Sequence, residues 1–388
     1  MKSTLFRAKA SIAVLGLIGS LSVLAGCTGN DSPTPAIPIV TTRFQQTNLV
    51  SDIPGVAATT DTNLVNPWGI AFSPTGPFWI ADNNSGKATL YNGSGAAQAL
   101  VVNIPAPAAT TGGTATGQVF NGTTDFKLPN GNPALFLFST EDGTIIGWNG
   151  SSGKQAVVVA DRSGIPAVGG GAVYKGLAIG SNASGNFLYA TNFRTGQVDV
   201  FDKNFGVVLL PGSFSDTSVP SGFAPFGIQN IGGDIFVSYA KQDVDKHDDV
   251  SGSGSGLIDQ FDSNGNLKRR FAVGSAAGGS VSALNSPWGM ALAPISFGDF
   301  SNALLVGNFG DGRISAFNVS TGALLGQMPN STGTGSIAIP GLWGLAFGNG
   351  GSAGSPNALF FTAGIGDAPA FTTNREKHGL FGSLQVMP

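Results

Sequence analysis

The stretch Asn66-Pro67-Trp68-Gly69-Ile70-Ala71-Phe72 recurs along this chain and decides its fold. Close copies occupy 286–291 and 341–347, and weaker copies lie at 115–120, 174–178 and 224–228. With the glycine as the landmark, successive copies are 48, 59, 51, 62 and 55 residues apart. A period of about 50 residues is typical of propeller blades. The pattern therefore predicts an all-β chain folded as a six-bladed β-propeller.

Each copy is followed by further short apolar runs that are joined by polar turns. After the first copy, the runs 78–81 and 88–91 flank the turn 82–86, which reads Asp-Asn-Asn-Ser-Gly. Such residues tolerate positive φ or bond their own backbone, and between two apolar runs they indicate a hairpin. The same order returns in the later copies. We therefore expect four antiparallel strands in each blade, with the repeated stretch innermost.

The sixth blade lacks one of its four strands. After the last copy only two apolar runs remain, at 358–363 and 380–386, before Pro388. The apolar stretch 44–50, in contrast, precedes blade one and belongs to no blade. Because an open ring would expose two unpaired sheet edges, we expect residues 44–50 to form the outer strand of blade six. The predicted propeller domain spans 43–388.

The first 27 residues indicate an export signal. They combine a basic start with an apolar run from Ile12 to Leu24 and end in Leu24-Ala25-Gly26-Cys27. This ending resembles the bacterial lipoprotein signal, in which the cysteine is acylated and becomes the first mature residue. Cys27 is the only cysteine, so it forms no internal disulfide. The alternative is an ordinary signal peptide with an unrelated cysteine.

Residues 28–42 carry Pro33, Pro35 and Pro38 and no apolar alternation, which predicts an extended tether. Acyl chains on Cys27 would bind the lipid bilayer durably. We therefore expect the protein in the cell envelope, lipid-anchored and facing the periplasm or the exterior. Thr28, where the resemblance would place Asp for inner-membrane retention, favours an outer membrane if the cell has two.

Charge and motif content exclude several classes of function. Only 11% of the residues are charged and the net charge is −3, so no basic stripe is available for nucleic acid. The chain contains no Walker loop or Cys/His zinc spacing. We expect a monomer whose partner is an unknown small molecule or protein.

Side-chain oxygens follow the second strand of four blades. Those turns lie on one face of the disc, so the oxygens would converge near the mouth of the channel and could hold Ca²⁺, which prefers oxygen ligands. The alternative is that these residues only form tight turns. The candidate metal ligands are Asp82, Glu141, Asn192 and Asn308.

Two long turns lie on the same predicted face and carry the only two histidines. His247 lies in the Asp-rich insertion 241–250 of blade four, and His378 follows the insertion 364–377 of blade six. A histidine beside carboxylates could bind a ligand or a metal or transfer protons. The alternative is that both loops are merely solvated.

One repeat position is aromatic in four blades. It holds Trp68, Phe226, Trp288 and Trp343, while Lys175 takes the equivalent place in blade three and Thr116 in blade two. These residues could form a collar that stacks on a sugar or another flat ligand. The alternative is that they pack blade against blade.

The phrase Pro-Trp-Gly-Ile-Ala resembles the innermost strand of propellers with NHL-type repeats. Residues 43–388 resemble, more narrowly, an uncharacterised bacterial family of exported propellers, some of which carry a PEP-CTERM tail. The shared text is 66–71, 141–143, 147–148, 192–193, 308–309 and 378–382. This family implies the fold but no activity. The sequence therefore predicts a binding module, with a Ca²⁺-dependent lactonase-like hydrolase as the alternative, since gluconolactonase-type propellers hold a metal in a comparable way.

Overall fold

A computed structural model describes residues 40–166, 170–274 and 283–387. The predicted signal peptide and all but the last three residues of the predicted tether lie outside these ranges. Over the described residues, the chain forms six sheets. Five of them are built from four consecutive antiparallel strands of one repeat, and the sixth combines three strands of the last repeat with two that precede blade one. No α-helix occurs there, only the 3₁₀ turns Gly150–Ser152 and Gly298–Phe300. The predicted six-bladed, all-β propeller is confirmed.

The strands follow the order that the repeats predict, from the axis outwards. The innermost strands are Pro67–Ala71, Ala115–Phe120, Tyr174–Asn182, Phe223–Ile231, Pro287–Leu292 and Leu342–Phe347. The second strands are Phe78–Asp82, Phe136–Thr140, Gly185–Asn192, Asp234–Lys241, Ala303–Asn308 and Leu359–Ala363. The third strands are Lys87–Tyr91, Thr144–Trp148, Gln197–Phe201, Leu257–Phe261, Ile314–Asn318 and Leu380–Val386. The outer strands are Val102–Asn103, Val157–Asp161, Val207–Val208, Leu267–Val273, Leu324–Gln327 and Phe44–Ser51.

The strand Phe44–Ser51 closes the ring, as predicted. It pairs antiparallel with Leu380–Val386 in blade six and so joins the two ends of the propeller. A further short strand, Thr59–Thr60, pairs parallel with it and makes blade six five-stranded, which the sequence pattern did not predict. Phe44 and Val50 are buried in the apolar layers on the two sides of blade six.

The repeated glycine lets neighbouring blades approach backbone to backbone. A Cβ on Gly227 would lie 2.1 Å from the carbonyl oxygen of Trp288, in the next blade. Equivalent close contacts to the next blade's innermost strand occur at Gly69, Gly117, Gly176, Gly289 and Gly344. Because a side chain would push the blades apart, the repeat favours glycine at this place, least strongly at Gly176, where the nearest atom would be 3.0 Å away. The landmark of the sequence is thus the contact that closes the inner ring.

A hydroxyl from the second strand ties each of several blades to the next. Ser238 Oγ accepts from the Gly227 amide at 2.9 Å and donates to the Pro287 carbonyl of blade five at 2.6 Å. Thr362 of blade six likewise accepts from the Gly344 amide of its own blade and donates to the Trp68 carbonyl of blade one. The innermost strand bulges at this glycine, so its amide needs a partner outside the ladder.

Six buried apolar clusters fill the spaces between neighbouring blades. A seventh, aromatic cluster lies on the axis and is described below. No helix among the described residues has the length and apolar character needed to cross a membrane.

Candidate functional site

The aromatic residues of the repeat meet on the axis and fill it. Trp68 and Trp343 stack with ring centroids 3.5 Å apart, and Trp288 packs edge-on against both at 5.6–5.7 Å. We call this cluster the aromatic plug; its members are Trp68, Phe193, Phe226, Trp288, Phe309 and Trp343. All six are buried. The aromatic residues of the predicted collar thus meet on the axis, but their rings pack against one another. Stacking on a ligand stays a prediction.

Charged side chains lie directly over the plug. Lys175 is 1% exposed, and its Nζ lies 5.2 Å from the ring centroid of Trp68. The same ammonium donates to Glu141 Oε1 and, at 3.1 Å, to Asp248 Oδ1. Burial alone would lower the pKa of Lys175, but the two carboxylates outweigh it and raise the pKa above its ordinary value. Lys175 therefore stays charged.

The insertion of blade four folds back over Lys175. The carboxylate of Asp243 accepts from the His247 amide at 2.9 Å, and the Asp243 amide donates to the Asp248 carbonyl, so the loop forms a compact turn. His247 Nδ1 lies 2.9 Å from Asp248 Oδ1. This contact raises the pKa of His247 and, with Lys175, lowers the pKa of Asp248. The side chains of His247 and Asp248 are 39% and 66% exposed, so this part of the site faces solvent.

Glu376, from the insertion of blade six, completes the group. Asn66 Nδ2 donates to its Oε1 at 3.4 Å, and burial together with the charge of Glu141 raises the pKa of Glu376 to about 7. The proton of Glu376 favours the folded state, and this contribution is lost as the pH rises through about 7. We call the group formed by Glu141, Lys175, His247, Asp248 and Glu376 the polar cap. Its charge consequently changes near neutral pH.

The four predicted metal ligands do not share one environment. Glu141 belongs to the polar cap, where Asn83 also donates to its Oε2 at 2.9 Å. Asp82 is buried, accepts from Thr89, and has its pKa raised by burial. The side-chain oxygens of Asn192 and Asn308 accept from backbone amides of Val173 and Asn285 respectively, which lie just before the innermost strands of their blades. A ring of four converging oxygens stays a prediction.

The two histidines lie in separate environments. His378 Nδ1 is 2.7 Å from Asp52 Oδ2, just beyond the closing strand, and its Nε2 is 3.6 Å from Asp367. His247, in contrast, belongs to the polar cap. Glu376 thus brings the insertion of blade six to the axis. His378, which follows this insertion, contacts Asp52 next to the outer strand.

Four residues of the site were not predicted as site residues from the sequence. Asp248 and Glu376 were visible only as members of long loops, and Phe193 and Phe309 only as the residues after Asn192 and Asn308. Each phenylalanine follows the asparagine that ends a second strand, and this shared position could have identified both as equivalent residues of the repeat. Nothing in the repeats indicated that Asp248 contacts Lys175, because the loop that supplies Asp248 is not repeated.

The glutamate, histidine and aspartate of the polar cap also resemble a metal-binding set. One ligand atom each of Glu141, His247 and Asp248 lies within 4.8 Å of the others. The ammonium of Lys175 contacts two of the three residues. A mixed nitrogen and oxygen set of this kind suits Zn²⁺ or Mn²⁺ better than Ca²⁺, which takes six to eight oxygens.

Comparison with known sequences places the chain among viral relatives. No protein-family model matches it. It is 33% identical over 343 residues to uncharacterised protein R648 of Acanthamoeba polyphaga mimivirus, covering 84% of this chain and 78% of that protein. It is 32% identical over 306 residues to the uncharacterised mimivirus protein L690, covering 77% of each. These relatives are viral, whereas the sequence resemblance suggested a bacterial family; export and lipid anchoring stay predictions.

Comparison with solved structures finds propellers. A protein of unknown function from Bacteroides thetaiotaomicron superposes with a TM-score of 0.54 at 9% identity, covering 89% of this chain and 76% of that chain. The calcium-binding protein regucalcin from Agrobacterium tumefaciens gives 0.47 at 14% identity, covering 83% and 90%. Virginiamycin B lyase from Staphylococcus aureus gives 0.45 at 12% identity, covering 89% and 100%. At these identities the likeness concerns the fold alone.

Proposed function

We propose that this chain, which belongs to the family of the mimivirus proteins R648 and L690, is a lipid-anchored binding module. Its polar cap binds a small, neutral, hydroxyl-rich ligand such as a saccharide. The observation that carries the proposal is the buried Lys175, held between carboxylates of two other blades over the aromatic plug. A rigid ring supports these groups, which is the usual arrangement of a binding site on a propeller.

The charge balance of the polar cap supports a neutral ligand. The carboxylates of Glu141 and Asp248 are offset by Lys175 and, when protonated, by His247. While Glu376 keeps its proton, below about pH 7, the charges within the polar cap balance and the cap does not select an ion. Donors and acceptors alternate at close range, and hydroxyl groups match such a surface because each donates and accepts. The exposed sides of His247 and Asp248 give the ligand access.

Saccharide-binding measurements test the function proposed for the polar cap. Thermal melts and calorimetric titrations with a panel of neutral mono- and disaccharides should find at least one that stabilises the protein, by about 2.7 kcal/mol at a hundredfold excess over Kd. Glu141→Gln should weaken that binding about tenfold or more, since it removes a charged acceptor. Asp234→Asn, which breaks an ion pair with Lys268 on the outer part of blade four, is the matched control and should bind like the parent.

Two outcomes would count against the proposal: no saccharide shifts the melt, or Glu141→Gln binds as well as the parent. A metal-dependent hydrolase is the second candidate, favoured by the proximity of Glu141, His247 and Asp248. The same melts with a chelator, Ca²⁺, Zn²⁺ and Mn²⁺ distinguish the two. Stabilisation by a metal that is lost in Glu141→Gln, without saccharide binding, would support the hydrolase.

Anchoring through Cys27 rests on the sequence of the signal alone. In a bacterial host with lipoprotein processing, Cys27→Ser should move the protein from the membrane fraction to the soluble fraction, because the acyl chains supply the membrane affinity. Thr28→Ser keeps the cysteine and is the control. Metabolic labelling with a fatty acid that still marks the Cys27→Ser protein would show that the anchor lies elsewhere.

A further inference from the structure

A second candidate site lies at the opposite end of the axis from the polar cap. There the innermost strands run past their glycines and open into a cavity of about 690 Å³. Residues of all six blades line it, so it lies on the axis of the ring. This volume is in the range of small-molecule sites. The aromatic plug and the ring of repeated glycines separate the cavity from the polar cap.

The wall of this axial cavity is uncharged and combines apolar side chains with the amides of Gln118, Gln229 and Asn230. Its rim carries large side chains, which include Phe72, Phe120, Ile179, Leu292 and Phe347. Among the described residues that line it, none is an Asp, Glu, Lys, Arg or His. A charged ligand would lose its hydration there and gain no counter-charge, which strongly disfavours it. The cavity therefore suits a neutral molecule that has both an apolar part and a hydrogen-bonding group.

One polar side chain in the cavity floor has nothing to bind. Gln118 is 7% exposed, and neither its Nε2 nor its Oε1 has a hydrogen-bond partner among the described residues. It lines both the cavity and the narrow axial space that continues towards the glycine ring. The half-buried amide of Asn230 nearby already has partners: it donates to the Ile179 carbonyl at 2.9 Å and accepts from the Gly233 amide. An unsatisfied buried amide is costly, so a partner for Gln118 is expected.

We propose that this axial cavity binds an uncharged small molecule with an apolar body and a carboxamide group, either a primary amide or a lactam. The carboxamide offers a donor beside an acceptor, which matches the free oxygen and nitrogen of Gln118 at two points. The apolar body lies against the aromatic and aliphatic rim. This site is separate from the polar cap and does not depend on the function proposed there.

Three matched probes test the chemistry of the cavity with the unaltered protein. They are 3-phenylpropanamide, its methyl ketone analogue 4-phenylbutan-2-one, which lacks the donor, and 3-phenylpropanoate, which is charged. In titrations monitored by NMR, the amide should bind about tenfold more tightly than the ketone, and the carboxylate should bind most weakly. The side-chain amide resonance of Gln118 should shift with the amide probe.

Gln118→Met tests the residue itself, since it removes both polar atoms with little change in size. The preference for the amide over the ketone should vanish, while the free protein should melt at a higher temperature because a buried unsatisfied group is gone. Gln229→Met, at the exposed rim of the same cavity, is the control and should keep the preference.

The proposal is overturned if the parent binds none of the probes, binds amide and ketone equally, or prefers the carboxylate. It is also overturned if Gln118→Met keeps the preference for the amide. The comparison of probes on the parent protein decides the matter even if that variant fails to fold.

Discussion

Deletion of residues 43–51 is expected to abolish the cooperative unfolding of the propeller and to leave an aggregating, protease-sensitive protein. The deletion removes the whole strand Phe44–Ser51 and its antiparallel ladder with Leu380–Val386. It also empties the places of Phe44 and Val50 in two apolar layers, each worth about 1.5–3 kcal/mol of burial. Together with the unpaired edge, this loss approaches the whole stability of a typical domain.

Thermal melts and limited proteolysis measure the effect. Deletion of 28–39 is the control, because it shortens the predicted tether and leaves every residue of the closing strand in place. It also spares Thr41 and Thr42, whose amides donate to Asp299. A 43–51 deletion that melts like the parent would show that the ring does not need this strand.

Gly227→Ala is expected to be strongly destabilising, although it adds only one carbon atom. The new Cβ would lie 2.1 Å from the Trp288 carbonyl, so the innermost strands of blades four and five would have to separate. Overpacking a core costs about 1–3 kcal/mol when side chains can adjust, and here the obstacle is backbone. We therefore expect a loss of at least about 3 kcal/mol in the free energy of unfolding.

Gly150→Ala is the matched control, since no atom lies within 4 Å of the Cβ that it would add. Urea unfolding of the two variants should separate them clearly, with Gly150→Ala close to the parent. Equal stabilities would mean that the inner ring can widen freely. In that case the recurrence of glycine in the repeat would need another explanation.

The sequence predicted the propeller well because the determinants of a blade are local and repeated. Apolar runs of strand length, turns rich in Asn, Asp and Gly, and the recurrent Trp-Gly pair each report on residues close in the chain. Closure by 44–50 followed from counting strands and from the cost of a free edge. The strand Thr59–Thr60 was missed because two residues carry no periodic signal.

The site was predicted only in part. Repeat position alone selected Lys175 and Glu141 as candidates, but it assigned them to different groups, a ligand collar and a metal ring. In the structure they form one ion pair. The amide oxygens of Asn192 and Asn308 bind backbone of their own blades. Sequence could not show whether a polar residue after a strand faces the axis or caps its own blade.

What the sequence by itself determined is the number of blades, the order of their strands and the strand that closes the ring. The first two depend on contacts between neighbouring segments, which periodicity and turn chemistry record, and the third follows from the strand count and the cost of an unpaired edge. Only the tertiary structure decided that the aromatic residues fill the axis and that Asp248 reaches Lys175 across 73 positions of the chain. It also decided that Gln118 lies below the glycine ring with no hydrogen-bond partner in the part of the chain that the structure describes. The physical reason is that a closed ring makes neighbours of residues from different blades, and the unrepeated loops adopt conformations that no repeat encodes.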